Sequence, residues 1–348
     1  MESLAGNLER PWALAVLPGD EGLLITERTG DLRHLRGGVL RGVPGIPEVA
    51  VVGQGGLLDI VLSPEFGSDR LIYLSFAEAG SGGYGTAVAR GRLRSEASGA
   101  LRLTDTEVIF RALPRSGGGR HFGSRLAFDD EGYLYVTLGD RGAMNRAQDP
   151  FDPYGGLLRL NPDGTVPRDN PFAPGGERPG EGAPELWSWG HRNAQGLMRH
   201  PITGDLWLHE HGPKGGDEVN IVEKGANYGW PRTSFGIDYD GSVITDDASL
   251  PGITDPVIHW TPSIAPSGMA YYDGAAFPNW RGDVFVGALA GRHLRRLELS
   301  GNTVVDQEVL LDGRLGRIRD IRVGDDGAIY LLTDADRGGL YRLSPAED

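Results

Sequence analysis

The sequence has no cysteine among its 348 residues, very few lysines and no long hydrophobic run. The absence of cysteine excludes disulfide bonds, thiolate catalysis and metal sites built on cysteine. No segment approaches the roughly 18 apolar residues of a membrane-spanning helix, so we expect no membrane span. The first residues, MESLAGNLERPWALAVL, are acidic and lack a long apolar stretch, so they predict no signal peptide.

Positive charge is also scarce. Lys and Arg total 34 against 48 Asp and Glu, the formal net charge is −14, and Lys214 and Lys224 are the only lysines. A surface this acidic repels phosphate backbones, so nucleic acid is not an expected partner. An anionic ligand would need a local group of arginines to hold it.

The sequence also shows little helical periodicity, because no convincing helical pattern exceeds about ten residues. The 55 glycines and 23 prolines are spread over the whole length and divide the chain into short segments. Such a distribution favours strands over helices. The hydrophobic content of 39% is enough for a large core.

One phrase is abundant: an apolar strand, a turn with Asp, Gly or Pro, and a second apolar strand. Each copy is followed by a further short strand, as in GDLRHL, and the six copies begin at Trp12, Leu57, Arg125, Gly196, Gly268 and Asp320. Six copies predict an all-β fold, a six-bladed β-propeller of four-stranded antiparallel blades, because radial repetition protects the sheet edges. Two packed sandwiches are the alternative fold, but they do not explain the repeated phrase.

We expect residues 1–348 to form a single propeller domain, with the Pro- and Gly-rich segment 161–185 as a long loop at one face. The ligand of a propeller normally lies over the central channel, where loops from several blades meet. The loops that interrupt the repeat are therefore candidates for the site, and they span residues 53–59, 118–126, 137–142, 189–196, 210–218 and 316–322.

Taken alone, the polar residues of these loops have ordinary explanations as well as functional ones. A histidine in a Gly-rich loop, such as His121, is more often a surface residue that makes hydrogen bonds. Asp140 fits a hairpin turn, and Gln54 fits a turn beside glycines. Arg317 and Arg319 fit a solvated arginine face.

Three histidines raise the alternative of a zinc site. His209 and His211 are two residues apart, a spacing that places both on one side of a strand. A catalytic zinc site needs three protein ligands, and His191 would be the third. Nothing else in the pattern requires zinc.

Several motifs in order carry a family resemblance: HFGSRL before GD, then GHRNAQG, EHGPKGGDE and NYGWP, and RIRD near the end. With these motifs, nearly the full length resembles the soluble pyrroloquinoline quinone (PQQ)-dependent aldose sugar dehydrogenases of the glucose/sorbosone dehydrogenase family. The resemblance implies a six-bladed propeller that uses PQQ and Ca²⁺. It implies oxidation of an aldose at C1 to the lactone, with hydride passed to PQQ and then to an external electron acceptor. It also implies a periplasmic or secreted protein, as a monomer or homodimer.

The resemblance assigns catalytic roles to three residues. His121 would be the general base that removes the hydroxyl proton of the sugar, since imidazole titrates near working pH. Asp140 would orient the ring and stabilise its charged form. Arg192 would face the quinone oxygens and stabilise their charge as they are reduced.

Five further residues would contact the cofactor or the sugar by this resemblance. Gln54 would contact either one through its amide, Asn193 would form hydrogen bonds near the quinone, and His211 would lie near the cofactor. Arg317 and Arg319 would bind the carboxylates of PQQ, since residues two apart on a strand point to the same face.

The resemblance also implies two calcium sites. The consecutive carbonyls of Gly212 and Pro213 would hold the calcium that binds PQQ, because calcium prefers oxygen ligands. Glu218 and the carbonyl of Tyr228 match a second, structural calcium site. Asp217 would support this region.

One position departs from the family pattern. The lysine that usually follows GAL and contacts the cofactor is replaced by Ala290 in VGALAGRHLRRL. We expect this change to weaken PQQ binding without abolishing it, and Arg292 is a possible substitute for the lysine.

Two other functions fit a six-bladed propeller. A calcium-dependent lactonase would need carboxylate and Asn ligands converging at the channel, whereas the arginines favour an anionic cofactor. A non-catalytic binding module would not need His121, Asp140, Arg192 and the calcium motifs, although Ala290 leaves that reading open.

Overall fold

The computed structural model describes residues 1–346, which form six antiparallel four-stranded sheets. The sheets are arranged as the blades of a six-bladed β-propeller, which confirms the predicted fold class. The first strand of each blade packs against the first strand of the next, and the sixth packs against the first. These six strands therefore surround the central channel.

The strand bounds follow the repeated phrase closely. Blades one to five contain strands β2–β5, β6–β9, β10–β13, β14–β17 and β18–β21, and blade six contains β22–β24 with β1. In chain order the strands are β1 (Glu2–Leu8), β2 (Pro11–Val16), β3 (Leu23–Glu27), β4 (Asp31–Arg36), β5 (Val39–Gly42), β6 (Leu57–Leu62), β7 (Leu71–Gly80), β8 (Gly83–Ser95), β9 (Leu101–Arg111), β10 (Leu126–Phe128), β11 (Leu134–Thr137), β12 (Gly156–Leu160), β13 (Leu186–Trp189), β14 (Ala194–Arg199), β15 (Leu206–Glu210), β16 (Asp217–Val222), β17 (Ile258–Trp260), β18 (Pro266–Tyr271), β19 (Val284–Ala288), β20 (Leu294–Ser300), β21 (Thr303–Leu310), β22 (Ile318–Val323), β23 (Ile329–Thr333) and β24 (Gly338–Leu343).

Helices are few and short in the described part of the chain. They are one α-helical turn, α1 (Phe66–Asp69), and three 3₁₀ turns at Gly19–Glu21, Met144–Gln148 and Pro278–Trp280. No helix within residues 1–346 has the length and apolar character needed to cross a membrane.

The ring closes by joining the two ends of the chain. Strand β1 pairs antiparallel with β24 and forms the outer strand of blade six, with Ser3 opposite Tyr341. Blade one lies directly beside blade six, where the backbone N–H of Leu14 donates to a carboxylate oxygen of Asp320 at 2.9 Å. The first and last repeats are therefore neighbours, as predicted, whereas strand β1 was not predicted.

The strands near the channel are buried, whereas the outer strand of a blade is exposed, as expected for a propeller. The second strand of blade one, LLITE, is buried at every residue, whereas the outer strand β5 is exposed at every residue. The apolar strands near the channel are covered on both faces by neighbouring blades, and side chains such as Trp207 and Phe76 are fully buried between them. Truncating such an aromatic residue to alanine costs about 3–5 kcal/mol.

A buried ion cluster joins blades one, two, three and six. Arg125 lies 3.2 Å from Asp59 and 2.9 Å from Asp320, and all three side chains are at most 2% exposed. The Arg125 guanidinium also covers the ring of Trp12, 4.1 Å from its centroid. Removing one partner of a buried ion pair costs about 3–5 kcal/mol, because the other charge is left uncompensated. The cluster therefore holds four of the six blades together at the central channel.

Strand direction places the candidate loops at one end of the ring. His121 precedes the first strand of blade three and Asp140 follows its second strand, so antiparallel pairing brings both to the same end. Arg192 and His211 occupy the equivalent positions of blade four. The long loop 161–185 begins after the third strand of blade three and therefore starts at the opposite end.

Candidate active site

His121 and Asp140 form a buried pair at the mouth of blade three. The Nδ1 atom of His121 lies 2.6 Å from Oδ1 of Asp140. The same carboxylate accepts hydrogen bonds from the indole N–H of Trp230 at 2.9 Å and from the backbone N–H of Gly142 at 2.6 Å. The carboxylate is thus held on both oxygens.

This contact selects one tautomer of His121. A carboxylate accepts hydrogen bonds, so Nδ1 carries the proton and Nε2 keeps a free lone pair. Burial lowers the pKa of His121 below its usual 6.5, assisted by the positive charge of Arg192 and opposed by Asp140. Burial alone would raise the pKa of Asp140, but the bonds from His121, Gly142 and Trp230 outweigh it and lower that pKa. The imidazole is therefore neutral and the carboxylate ionised at neutral pH.

The loop that carries His121 is packed tightly against its neighbours. The side-chain oxygen of Gln54 accepts the backbone N–H of His121 at 2.7 Å. His121 itself has a φ of 53°, a left-handed conformation that is uncommon for residues other than glycine. A Cβ on Gly139 would lie 2.3 Å from the carbonyl oxygen of His121, so only glycine fits there. The contacts around this strained loop therefore hold its backbone in one conformation.

Arg141, the residue after Asp140, holds the same loop from the other side. Its guanidinium donates to the carbonyl of Gly118 at 2.7 Å and to that of Arg120. It lies 3.5 Å from the ring centroid of Phe122, and burial lowers its pKa to about 10. Arg141 was not among the predicted site residues, because only the folded loop shows these contacts.

Arg192 lies at the start of blade four. Its guanidinium donates to the carbonyls of His211 at 3.0 Å and Gly212 at 3.2 Å, and its backbone N–H donates to the buried carboxylate of Glu210. The guanidinium is 5.3 Å from the ring centroid of Trp230. Arg192, Trp230 and the His121–Asp140 pair therefore form one connected group.

A cavity of about 230 Å³ opens beside this group, over the channel. Five predicted contact residues line it, namely Gln54, Asn193, His211, Arg317 and Arg319. His121, Asp140 and Arg192 do not themselves line this cavity, but Phe122, Gly123 and Asn193, which lie one or two residues from His121 or Arg192 in the chain, form part of its wall. The predicted cofactor-binding residues other than Arg192 therefore share one cavity, and the predicted catalytic residues lie close to its wall in the chain.

His211 presents a neutral ring to the cavity. Its Nε2 lies 2.6 Å from the carbonyl of Pro266, which can only accept, so the proton is on Nε2. Burial lowers the pKa of His211 well below 6.5. His211 therefore offers the cavity hydrogen-bonding capacity without charge.

Arg317 and Arg319 lie on the cavity wall, but their arrangement differs from the expected one. Strand β22 begins at Ile318, so Arg317 precedes the strand. Both guanidinium groups contact one carboxylate, since Arg317 is 2.8 Å and Arg319 is 3.3 Å from Asp334. The two arginines are thus positioned by a protein carboxylate that the sequence analysis did not identify.

The cavity carries an excess of positive charge. Three guanidinium groups, those of Arg28, Arg317 and Arg319, line it together with one carboxylate, that of Asp334. The Nε atoms of Arg28 and Arg319 are buried and have no hydrogen-bond partner within residues 1–346. Three guanidinium charges against one carboxylate fit an anionic ligand.

Asp217 organises the predicted calcium turn. Its carboxylate accepts the backbone N–H of Gly212 at 2.9 Å, of Ile264 at 2.7 Å and of Ala265 at 2.9 Å. Burial raises the pKa of Asp217 to about 6. Asp217 therefore supports this turn, whose Gly212 carbonyl faces the guanidinium of Arg192.

Glu218 lies in a second acidic group between β15 and β16. It is opposite Glu210 in the sheet, and Asn220 Nδ2 lies 3.4 Å from Glu218 and 3.5 Å from Glu210. Burial and the charge of Glu210 raise the pKa of Glu218 well above its usual value. The Oδ1 of Asn220 is buried without a partner in the described residues. Two buried carboxylates beside a free amide oxygen are a donor set that suits calcium.

Tyr228 is linked to this acidic group through His191. The two rings stack with centroids 4.7 Å apart, and His191 lies 2.7 Å from Glu210. The Tyr228 hydroxyl donates to the carbonyl of Ile221 at 2.7 Å. The predicted pairing of Glu218 with the Tyr228 carbonyl remains a prediction.

The zinc alternative is not supported. His191 contacts Glu210, while His209 and His211 contact the separate carbonyls of Ser267 and Pro266. Strand β15 ends at Glu210, so His209 and His211 are not on one strand face. No group of three or more His, Cys, Asp or Glu in residues 1–346 is arranged to hold a metal ion.

The position of the absent lysine lies at the edge of the site. Ala290 is exposed, and its backbone N–H donates to the carbonyl of Ile264 at 2.9 Å. Arg292 is exposed too and borders a neighbouring depression that shares Arg317 and Asp334 with the cavity. Neither Ala290 nor Arg292 lines the cavity itself.

Known proteins match this chain over nearly its full length. The family model for glucose / sorbosone dehydrogenase matches residues 8–342. The chain is 44% identical to the aldose sugar dehydrogenase YliI of Escherichia coli (strain K12) over 350 residues, covering 99% of this chain and 92% of that protein.

Solved structures agree with that match. A crystal structure of a glucose dehydrogenase superimposes with a TM-score of 0.94 at 46% identity, with 99% of each chain covered. The PQQ-bound form of the aldose sugar dehydrogenase of Streptomyces coelicolor superimposes with a TM-score of 0.78 at 30% identity, covering 98% of this chain and 96% of that one. The chain therefore belongs to the glucose / sorbosone dehydrogenase family.

Proposed function

We propose that this protein oxidises aldose sugars at C1 to the lactone, with PQQ and Ca²⁺ as cofactors and an external electron acceptor. The observation that carries the proposal is the buried His121–Asp140 pair beside a cavity with excess positive charge. The similarity of this chain to an aldose sugar dehydrogenase solved in its PQQ-bound form supports the same proposal.

His121 is the proposed general base. Its Nδ1–H is committed to Asp140, so Nε2 has a lone pair for the proton of the sugar's C1 hydroxyl. The lowered pKa of His121 keeps that atom unprotonated at neutral pH. Loss of the proton increases electron density on the hydroxyl oxygen and so assists loss of hydride from C1. Asp140 then stabilises the imidazolium that forms.

The cavity fits PQQ in charge. PQQ has three carboxylates, and Arg28, Arg317 and Arg319 line the cavity with unpaired Nε atoms on two of them. Arg192 and Asn193 would lie beside the quinone, where a guanidinium stabilises developing negative charge. When bound, PQQ supplies the two-electron acceptor for the oxidation.

Calcium is proposed at two places. The carbonyls of Gly212 and Pro213, in the turn held by Asp217, would provide oxygen ligands next to the cofactor. Glu218, Glu210 and the free Oδ1 of Asn220 form a buried anionic group that fits a structural ion, with the Tyr228 carbonyl as a further ligand.

The two other functions receive less support from the site. A calcium-dependent lactonase needs carboxylates converging at the channel. Among residues 1–346, Asp334 is the only carboxylate in the wall of this cavity, and it already contacts two arginines. A non-catalytic binding module would not need His121 beside an Asp140 carboxylate that accepts three hydrogen bonds. Periplasmic location and a monomeric or dimeric state remain predictions.

Reconstitution tests the proposal. The protein is incubated with PQQ and CaCl₂, its absorbance spectrum is recorded, and reduction of an artificial electron acceptor is followed with a panel of aldoses and with lactones. We expect a bound-PQQ spectrum and aldose-dependent dye reduction. A spectrum equal to that of free PQQ, or lactone hydrolysis without dye reduction, would overturn the proposal.

A further inference from the structure

We infer that Arg28 is a further carboxylate-binding residue of this site. The inference rests on the proposed function, since the carboxylate is taken to belong to PQQ. Arg28 immediately follows strand β3, which ends at Glu27. It is therefore at the same end of the ring as Asp334 and His211, which also follow the second strands of their blades, and it lines the same cavity.

The backbone of Arg28 is fixed by its own blade and by blade two. Its N–H donates to the carbonyl of Arg10 at 3.0 Å. A Cβ on Gly56 would lie 2.0 Å from the carbonyl oxygen of Arg28, so the loop of blade two packs directly against it. The side chain therefore starts from a defined position at the cavity wall, which reduces the entropy lost when it binds a ligand.

The guanidinium of Arg28 has no counter-ion of its own among residues 1–346. Nearby carboxylates are committed elsewhere: Glu27 pairs with Arg33 at 2.7 Å, and Asp334 pairs with Arg317 and Arg319. The Nε of Arg28 is buried without a partner. Burial lowers the pKa of Arg28, the charge of Asp334 opposes this, and Arg10 and Arg317 reinforce it. A ligand carboxylate in the cavity would pair with the guanidinium charge and offset the cost of burying it.

Arg28 suits this role better than Arg292. Arg28 lines the cavity with Arg317, Arg319 and Asp334, whereas Arg292 is exposed and borders only the neighbouring depression. A charge held in a partly desolvated wall interacts more strongly with an anion than one surrounded by water. The structure therefore favours Arg28 over Arg292 as the further carboxylate-binding residue.

Equilibrium titration of the full-length protein with PQQ in CaCl₂, followed by absorbance, tests the inference. The variants are Arg28→Gln, Arg28→Lys and, as matched control, Arg292→Gln. We expect Arg28→Gln to raise Kd by about 10- to 100-fold, the range for one charge-assisted hydrogen bond. Arg28→Lys should recover most of the affinity, and Arg292→Gln should bind like the wild type. The trimethyl ester of PQQ should bind the wild type and Arg28→Gln equally, because it has no carboxylate charge.

The outcomes separate this inference from the proposed function. If the wild type binds PQQ and Arg28→Gln has the same Kd, the inference is overturned while the proposed function stands. Loss of affinity in Arg292→Gln alone would assign the charge to Arg292. Equal weakening of PQQ and of its ester would show a change of shape and would also overturn the inference. A wild type that does not bind PQQ overturns the proposed function itself. Thermal melts of the three apo variants check that each is folded.

Discussion

Trp230 donates its indole N–H to Asp140 across 90 positions of the chain, at a distance of 2.9 Å. Asp140 in turn holds the Nδ1 of His121 at 2.6 Å. The NYGWP segment, which contains Trp230, lies beside the end of blade three. There the backbone N–H of Trp230 donates to the carbonyl of Gly190. The orientation of the proposed base therefore depends on three separate loops.

Replacing Trp230 by Phe should lower turnover modestly. The change removes one donor to Asp140 and keeps most of the buried ring. One such hydrogen bond is worth about 1 kcal/mol, or about fivefold in rate if it acts fully in the transition state. Steady-state kinetics of Trp230→Phe with PQQ-loaded protein check this. Unchanged turnover would show that the bond from Gly142 orients the carboxylate by itself.

Asp140→Asn should have a larger effect and a shifted pH profile. The amide can donate to Nδ1, which favours the tautomer with the proton on Nε2, so the plateau kcat should fall about 10²- to 10⁴-fold. Asp140 raises the pKa of His121 in the wild type, so its neutralisation lowers that pKa further. The acid limb of the pH–rate profile should move to lower pH. A limb that moves to higher pH would contradict the assignment of His121 as the titrating base.

Asp334→Asn should reduce stability in a pH-dependent way. Burial opposes ionisation of Asp334, but Arg319 and Arg317 outweigh it and lower its pKa to about 2. A folded pKa below the unfolded value of 3.8 stabilises the protein above pH 4, and this stabilisation is lost as pH falls toward 2. The shift corresponds to about 2 kcal/mol. Urea denaturation at several pH values should show a gap between wild type and Asp334→Asn that narrows on acidification. A gap independent of pH would contradict the assigned ion pairs.

Calcium should stabilise the apo protein through the group around Glu218. An ion that binds only the folded state raises the melting temperature by mass action, so wild type should melt higher in CaCl₂ than in EDTA. Glu218→Gln should lose most of this difference. In EDTA it should melt no lower than wild type, because glutamine removes the cost of burying an ionisable carboxyl beside Glu210. Glu48→Gln, at an exposed carboxylate, is the control and should behave as wild type.

No effect of calcium on the wild-type melt would argue against the structural site. A calcium effect that persists unchanged in Glu218→Gln would place the ion elsewhere, for instance at the Gly212–Pro213 turn.

The fold could be predicted from the sequence because each blade repeats one local phrase, and local periodicity decides where the strands form. Strand β1 escaped prediction because Glu2–Leu8 precedes the first repeat and pairs with β24 at the far end of the chain. Its partner is decided by closure of the ring, which no local pattern contains.

The site was predicted where short motifs carry it and missed where contacts join distant blades. His121, Asp140 and Arg192 lie in recognisable loops and meet in the structure. Arg28 and Asp334 are single residues after ordinary strands, and nothing in their local sequence distinguishes them from surface charges. Only the meeting of blades one and six at the channel gives them a shared cavity.

The central claim is that Nε2 of His121 removes the hydroxyl proton of an aldose bound beside PQQ. The most direct test is the rate at which an aldose changes the absorbance of the bound cofactor in a single turnover, measured for wild type and His121→Ala, each saturated with PQQ and Ca²⁺. We expect both proteins to bind PQQ with similar affinity, since arginines and calcium hold it. The rate should fall about 10²- to 10⁴-fold in His121→Ala. Equal rates in the two proteins, or no aldose-dependent change in the wild type, would contradict the account.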